Sequence, residues 1–419
     1  MINELIANTN CRACGLAIVI AVSTFVSVYL LTNQLFDNSD SHISTDLFAG
    51  ANVIGSRASN SLQFVTIFTQ HGNSAPYVTY DNYLYNVNDT RVWPNGPNQL
   101  TQIGKVQMYD LGVKVRFLYN GFLSQNFKKE LKATSTTTDR TLMSAALFLA
   151  GLYPPQGYDL WDRKVLWQPI PVFPNDKDHS NSVFPAQSQA CPRFHKAQKE
   201  SLENFQEQYG SKTRAVLRLA QNLSGIDVFN HQLASGSPPL LDSMWMLWES
   251  IKHADNEGLV LPEWTKPLYP EPTRNLVAKM TRAYSGESVT AIRLFQGLLF
   301  QDMVRQMLIR RKGSVSEKRL FYHSGHDSTL YGLFRILDLD KEDFMLPNAG
   351  SALIYELHLD AETGQYYVQV LYIDRTSTDL EPLDINIPGC DPPCEFHVFL
   401  DITEKYYNIT DYNSECEID

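Results

Sequence analysis

The chain of 419 residues has no excess of positive charge: 35 Lys and Arg stand against 46 Asp and Glu, a formal net charge of −11. Nucleic acid is thereby excluded as a partner, because a phosphate backbone calls for a basic face. Small phosphoesters are not excluded, since they answer to local charge. There is no internal repeat and no low-complexity tract, and the composition, 43% hydrophobic and 19% charged, is that of a globular protein with a sizeable core. Cysteine is sparse, six in all. In the body of the chain only Cys390 and Cys394 lie close together, and with no second ligand pair at zinc spacing they make no metal site. Neither a metal nor another cofactor is implied. Long apolar runs are also lacking, with one exception at residues 14–32.

That run is uncharged and just long enough to cross a bilayer. Its place at the N-terminus, before a polar stretch, argues against a core helix. It reads as a cleaved signal peptide or as an uncleaved signal anchor. No small-x-small cleavage site follows it. Arg12 before it, with Asp37, Asp40 and Asp46 after it, favours a membrane anchor with residues 1–13 in the cytosol. On either reading the body enters the secretory pathway and is extracellular or lysosomal. Three glycosylation sequons, at Asn88, Asn222 and Asn408, agree. Cys11 and Cys14 at the membrane border are candidates for reversible palmitoylation. Cys191, Cys390, Cys394 and Cys416 are an even number in an oxidising compartment, and four cysteines allow three pairings. The favoured one closes Cys390–Cys394 as a tight loop and ties the C-terminus to the body through Cys191–Cys416.

Along the body, the apolar run from Leu62 to Phe68 predicts a buried strand ended by Gly72 and Pro76. Helical spacing of Ile103, Met108, Leu111, Val115 and Leu118 predicts a helix from Thr101 to about Tyr119. Leu131 to Ser135 is a second strand, followed by a helix to about Leu152 that Asp139 caps. Trp167 to Pro171 suggests a third strand. Residues 175–312 turn helical, with candidates at 193–209, 213–222, 242–254, 274–285 and 290–312, the last the most amphipathic. Arg319 to Tyr322 returns to strand, Ser328 to Leu337 is helix, and Ser351–Leu359 with Tyr366–Tyr372 forms a hairpin-like pair. Strand-loop-helix units separated by helical stretches indicate an α/β fold: a mixed, largely parallel sheet with helices on both faces and an inserted helical cap. The expected division is a linker over 33–60, an α/β domain over 61–174 and 313–410, a cap over 175–312 and a tail over 411–419.

Three stretches follow strand-like runs and so belong at strand C-terminal ends, where ligands bind in such sheets. They are Gln70 to Pro76 (QHGNSAP), Thr138 to Thr141 (TDRT) and His323 to Asp327 (HSGHD). Together they supply the parts of a covalent phosphoryl transfer: an imidazole to attack phosphorus, donors for the equatorial oxygens, and an acid for the leaving group. His71 precedes Gly72, whose missing side chain permits close backbone approach. Arg140 lies at a helix N-terminus, where the helix dipole also favours an anion. Taken singly, each residue is more often a satisfied structural group; placed at matching strand ends, they point to a site.

These stretches resemble the histidine acid phosphatases, whose first motif reads Arg-His-Gly-x-Arg-x-Pro. Thr138 to Ala145 with the following Leu-Ala-Gly-Leu-Tyr-Pro-Pro is similar to the second motif, and Gly325 to Leu330 to the third. Asn98–Lys105, Trp167–Pro171 and Cys191–Arg193 are further similar blocks, and the likeness runs over about 60–400. It implies a histidine phosphatase-like α/β domain with a helical cap, often a homodimer, with the same disulfide pairing and small phosphomonoesters or phosphate as ligands. It also implies His71 as nucleophile and Asp327 as proton donor, with Arg140 and His326 holding phosphate. The mutase and phytase branches fit less well. In the first motif Gln70 and Ser74 stand at the two arginine positions, and Asn73 replaces an acidic residue. Gln70 retains a neutral donor for phosphate, whereas Ser74 is too short to reach. The expected activity is therefore a weak acid phosphatase, with an inactive binding ectodomain as the alternative. Arg91, Lys105 and Arg163 on nearby segments are the cations that a compensating role would need, and nothing in the sequence places them at the site.

Overall fold

In the computed structural model, residues 54–178, 191–229, 237–313, 317–339, 346–376 and 378–418 are described. The expected membrane segment 14–32 and the cysteines before and within it lie outside them. Among the described residues no helix is long and apolar enough to cross a membrane.

The first strand, β1 (Leu62–Gln70), is buried along nearly its whole length. Phe64 and Phe68 join one apolar cluster while Val65 and Ile67 join another. A strand apolar on both sides belongs inside a sheet that is covered on both faces. The chain then forms α1 (Gln102–Leu118), β2 (Leu131–Ser135), α2 (Asp139–Leu152) and a two-residue β3 (Phe173–Pro174). Four helices follow: α3 (Pro192–Ser224), α4 (Pro239–Asn256), α5 (Thr273–Tyr284) and α6 (Val289–Arg311). The remaining elements are β4 (Leu320–Gly325), α7 (Asp327–Ile336), β5 (Ala352–Leu359), β6 (Tyr366–Ile373), β7 (Leu383–Ile385), β8 (Cys394–Glu395), α8 (Phe396–Tyr407) and α9 (Tyr412–Cys416). The strand order is β3-β2-β4-β1-β5-β6-β7, with β8 paired to β6. From β3 to β1 all pairings are parallel, and β5 to β8 add antiparallel partners. The sheet is thus mixed with a parallel centre, as the strand-loop-helix pattern required.

One face is covered by α1 and α2 through Met108, Leu111, Val115, Phe148 and Leu149. The other is covered by α6, α7 and α8 through Phe300, Met303, Leu333, Phe334 and Phe399. Helices α3, α4 and α5 build a third cluster with Tyr80 and Tyr83 from the loop after β1. Several sequence expectations are corrected. The third strand falls at Phe173–Pro174 rather than 167–171, as a short parallel edge beside β2. Residues 193–222 form one helix: Gly210 is buried inside α3 and does not break it. The helix α6 is not the most amphipathic, since it buries side chains around most of its circumference between the sheet and α8. Asp139 does not cap α2; the N-cap is Thr138, and Asp139 is the first helical residue.

Cys191 is bonded to Cys416 across a sequence separation of 225, and Cys390 to Cys394. The long bridge joins α9 to the start of α3 within a small cluster of Phe194, Ala291, Leu294 and Phe295. In the chain-entropy model, closing so long a loop stabilises by at most about 5 kcal/mol. Cys416→Ser should accordingly lower the thermal midpoint by circular dichroism, and an unchanged midpoint would show that the bridge adds nothing to stability. A second constraint lies where the loop after β1 crosses α1. A Cβ on Gly72 would lie 2.2 Å from the Gly104 carbonyl oxygen, and one on Gly104 would lie 2.0 Å from the Asn73 carbonyl oxygen. Gly104→Ala should then cost about 1–3 kcal/mol in urea unfolding, because backbone has to shift on both sides.

Candidate active site

Register brings the three motifs together. Gln70 at the end of β1 pairs with Gly325 at the end of β4, and Ser135 at the end of β2 pairs with Ser324. Beyond these ends the backbone remains tied: His71 N donates to Gly325 O at 3.0 Å and Thr136 N to Ser324 O at 3.1 Å. The side chains of His71, Arg140 and His326 therefore converge at one point. Arg140 Nε donates to His71 Nε2 at 3.0 Å, and Arg140 Nη2 lies 3.4 Å from His326 Nδ1. The two imidazole rings stand edge to face with centroids 5.5 Å apart.

The tautomers follow from the partners. His71 Nδ1 sits 2.7 Å from the Gly72 carbonyl oxygen, which can only accept. The proton is therefore on Nδ1, and Nε2 presents a lone pair. His326 Nε2 is 3.1 Å from Thr136 Oγ1, which leaves Nδ1 as the acceptor facing Arg140. Burial pushes the His71 pKa well below its usual value, and the Arg140 charge adds to the effect. Burial followed by Arg140 holds His326 down to about 3. Arg140 is itself lowered by burial, against which the carboxylates of Glu249 and Asp327 work. Both imidazoles are thus neutral in acid, and one guanidinium is shared between their lone pairs. An arriving phosphoryl group would exchange those contacts for charge-assisted hydrogen bonds.

Asp327 opens α7 and lies near enough to Arg140 for its charge to be felt. It is not the N-cap, a place held by His326, and its Oδ1 accepts from Ser328 N at 2.8 Å. Gln70 is buried, and its amide nitrogen, in the orientation its neighbours dictate, donates to Pro347 O and Asn348 O, both at 2.8 Å. Both amide hydrogens are thereby committed to the 347–348 turn, so a phosphate would have to displace them. Ser74 is buried, and its carbonyl oxygen takes the 2.7 Å contact of His253 Nδ1. Neither arginine named for a compensating role is placed at the cluster. Arg91 is bound to Asp89 on the surface, Arg163 is exposed, and the charges that act on His71 come from Arg140, His326 and His253. The three sequon asparagines are exposed. Among the described residues no group of His, Cys, Asp or Glu is arranged to hold a metal.

Sequence reasoning missed two supporting groups. Beneath the site, the buried His323 bonds Thr134 Oγ1 at 2.9 Å and Asp178 Oδ2 at 2.7 Å, and Asp178 also accepts from Thr329 Oγ1 at 2.9 Å. Thr329 Oγ1 in turn accepts from His326 N at 2.9 Å, so this network holds the third motif from below. Gly325 makes room for it, since a Cβ there would lie 2.3 Å from Thr329 Oγ1. The polar run Asn175–Asp178, a few residues past the third strand-like run, was the available signal. The second group is Glu249, His253 and Glu257, spaced i, i+4, i+8 at the end of α4, which grips the 73–77 loop. Glu249 Oε2 accepts from Tyr77 N at 3.2 Å, and Glu257 Oε1 accepts from Asn73 Nδ2 at 2.5 Å. Titratable residues recurring on one face of an otherwise apolar helix are that group's signature.

Residues 54–373 match the model of the histidine phosphatase superfamily, branch 2. The chain is 30% identical over 372 residues to the lysosomal acid phosphatase of Xenopus laevis, covering 86% of this chain and 79% of that one. It is 29% identical over 377 residues to the prostatic acid phosphatase of Bos taurus, covering 87% and 90%. Among solved structures, the phytase of Citrobacter braakii superposes with a TM-score of 0.61 at 19% identity, over 86% of this chain and 100% of that one, a likeness of fold.

The depressed pKa of His326 has a thermodynamic sign. Unfolded, the ring titrates near about 6.5; folded, it titrates at about 3. Between those values unfolding takes up a proton. Stability is therefore lost as pH falls from about 6.5, by up to about 1.4 kcal/mol per pH unit, and the loss ends below the folded value. In His326→Asn the proton uptake measured from urea unfolding between neutral and acid pH should fall by about one. An unchanged uptake would mean that the folded ring is already charged.

Proposed function

Because the chain belongs to the histidine phosphatase superfamily, branch 2, we propose that it hydrolyses small phosphomonoesters in acid, slowly, through a phosphohistidine on His71. The single observation that carries this reading is the state of the His71 ring: Nδ1 is fixed on the Gly72 carbonyl, which puts the lone pair on Nε2, where it accepts from Arg140 Nε until a phosphoryl group takes that donor. A neutral imidazole that survives in acid is the nucleophile such a reaction needs.

In the first step His71 Nε2 attacks phosphorus, a P–N bond forms and the ester P–O bond breaks. Asp327 gives a proton to the departing alkoxide. Arg140 turns from the two imidazoles to the equatorial phosphoryl oxygens, with the N-terminus of α2 behind it. In the second step water attacks the phosphohistidine, the Asp327 carboxylate takes its proton, the P–N bond breaks and phosphate leaves. His326 flanks the transferred group.

Turnover is slow on this reading because the charge clamp is reduced to one guanidinium. Loss of one preorganised donor costs about 10²–10³ in rate, and two losses need not add. A second reading, a binding ectodomain without hydrolysis, is favoured by the commitment of the Gln70 amide to Pro347 and Asn348. Residence in the secretory pathway belongs to both readings and is supported by the two disulfides, the exposed sequon asparagines and the lysosomal and prostatic relatives.

The test is hydrolysis of an aryl phosphate at about pH 5 by the protein, by His71→Ala and by Gln70→Arg/Ser74→Arg. The expected result is a low rate that vanishes in His71→Ala and rises about 10²-fold or more in the double variant. Equal background in the protein and in His71→Ala would reject hydrolysis and leave the binding reading.

A further inference from the structure

Away from the cleft, the cap carries a hollow of about 500 Å³ between α3 and the start of α4, a volume that suits a small molecule. Arg214, Arg218 and Gln221 line it from α3 at a spacing of i, i+4, i+7, one face of the helix. Pro239, Leu240 and Ser243 line it from α4, and Phe229 from the chain between the two. No carboxylate is among these residues. Arg214 and Arg218 are exposed, and neither forms an ion pair or a hydrogen bond among the described residues. They stand at a spacing where like charges repel, whereas Lys199 on the same helix has Glu203 four residues on, at 3.9 Å. Two unpaired guanidinium groups side by side run against the chain's net charge of −11. Two polar groups beside them are also unused. Gln221 Oε1 accepts from Val228 N at 3.3 Å, which leaves its NH2 group for another partner. Ser243 is buried, and its carbonyl oxygen takes the Tyr80 hydroxyl at 2.8 Å. Its Oγ has no hydrogen-bond partner among the described residues. Every unused group in the hollow can donate.

We propose that this hollow binds a small organic oxyanion, a sulfate or phosphate ester on an aromatic body, at a site separate from the cleft of His71 and Arg140. The two guanidinium groups take the oxyanion through charge-assisted hydrogen bonds. The Gln221 amide and Ser243 Oγ supply neutral donors. Phe229, Pro239 and Leu240 cover the aromatic body and take its apolar surface out of water. The site lies toward the start of α4: Ser243 is about 9 Å along the helix axis from Glu249, where the grip on the 73–77 loop begins. It needs no phosphoryl chemistry and stands whether or not the cleft hydrolyses.

Titration calorimetry with 4-nitrophenyl sulfate, in neutral buffer, tests the proposal by binding rather than turnover. The protein should bind this ester about tenfold more tightly than inorganic sulfate or 4-nitrophenol, because charge and ring each contribute. In Arg214→Gln/Arg218→Gln the affinity should fall about tenfold or more. Both arginines are exposed and Gln is a good helix former, so the variant keeps its fold. In Arg140→Gln, where the cleft has lost its guanidinium, binding of the sulfate ester should persist. The same titration of Arg140→Gln with 4-nitrophenyl phosphate tells the two esters apart, the tighter of them naming the ligand. No binding, binding that survives the double arginine variant, or binding lost in Arg140→Gln would overturn the proposal. Inorganic sulfate bound as tightly as the ester would reduce the site to charge alone and overturn the organic ligand.

Discussion

The register of three parallel strands is the constraint on which the site depends. With β2, β4 and β1 adjacent and their last residues paired, the backbone leaves the sheet at one level in three places. The hydrogen bonds from His71 N and Thr136 N carry the pairing one residue beyond the strands. A shift of one residue in any of these strands would turn every side chain to the opposite face and move a motif away from the other two. Both apolar clusters hold the register, since Phe64 and Phe68 can fill only one face and Val65 and Ile67 only the other.

On that platform, burial sets the electrostatics. Two imidazoles are kept neutral by the absence of water and by a guanidinium between them. A buried network of His323, Asp178 and Thr329 fixes the backbone from below. From above, α4 fixes the first motif with Glu249, His253 and Glu257, so the loop that lost its arginines is still held in shape. Shape and charge have parted company here. His71 is held with Nδ1 on the Gly72 carbonyl, while Arg140 is the cation that its ring meets. Local hydrogen bonding of His71 and Gly72 depends on the fold, whereas Gln70 and Ser74 bring no charge to it.

Much of this was legible in the chain. β1, α1, β2, α2, β4 and the β5–β6 pair announced themselves by period, because each packs one or both faces against a single apolar layer. The motif residues His71, Arg140 and His326 were legible because a residue just past a parallel strand has only one place to go. The errors arose where tertiary packing overruled local signals. Gly210 reads as a break yet lies inside α3, because that helix packs with α4 and α5 in one apolar cluster. Asp139 reads as a cap yet falls one residue inside its helix, where backbone geometry and not side-chain type sets the boundary.

The sequence by itself determined the family, the mixed α/β fold and the absence of an arginine at positions 70 and 74, because these follow from residue type, period and order along the chain, while the structure chose one of the three cysteine pairings. Only the tertiary structure decided what those losses left behind. The Gln70 amide is committed to Pro347 and Asn348, Arg140 is shared between two imidazoles, and His253 bridges the Ser74 carbonyl and the Glu249 carboxylate. Each of these facts joins residues far apart in sequence, and hydrogen bonds and charge act over distances in space that chain order does not record.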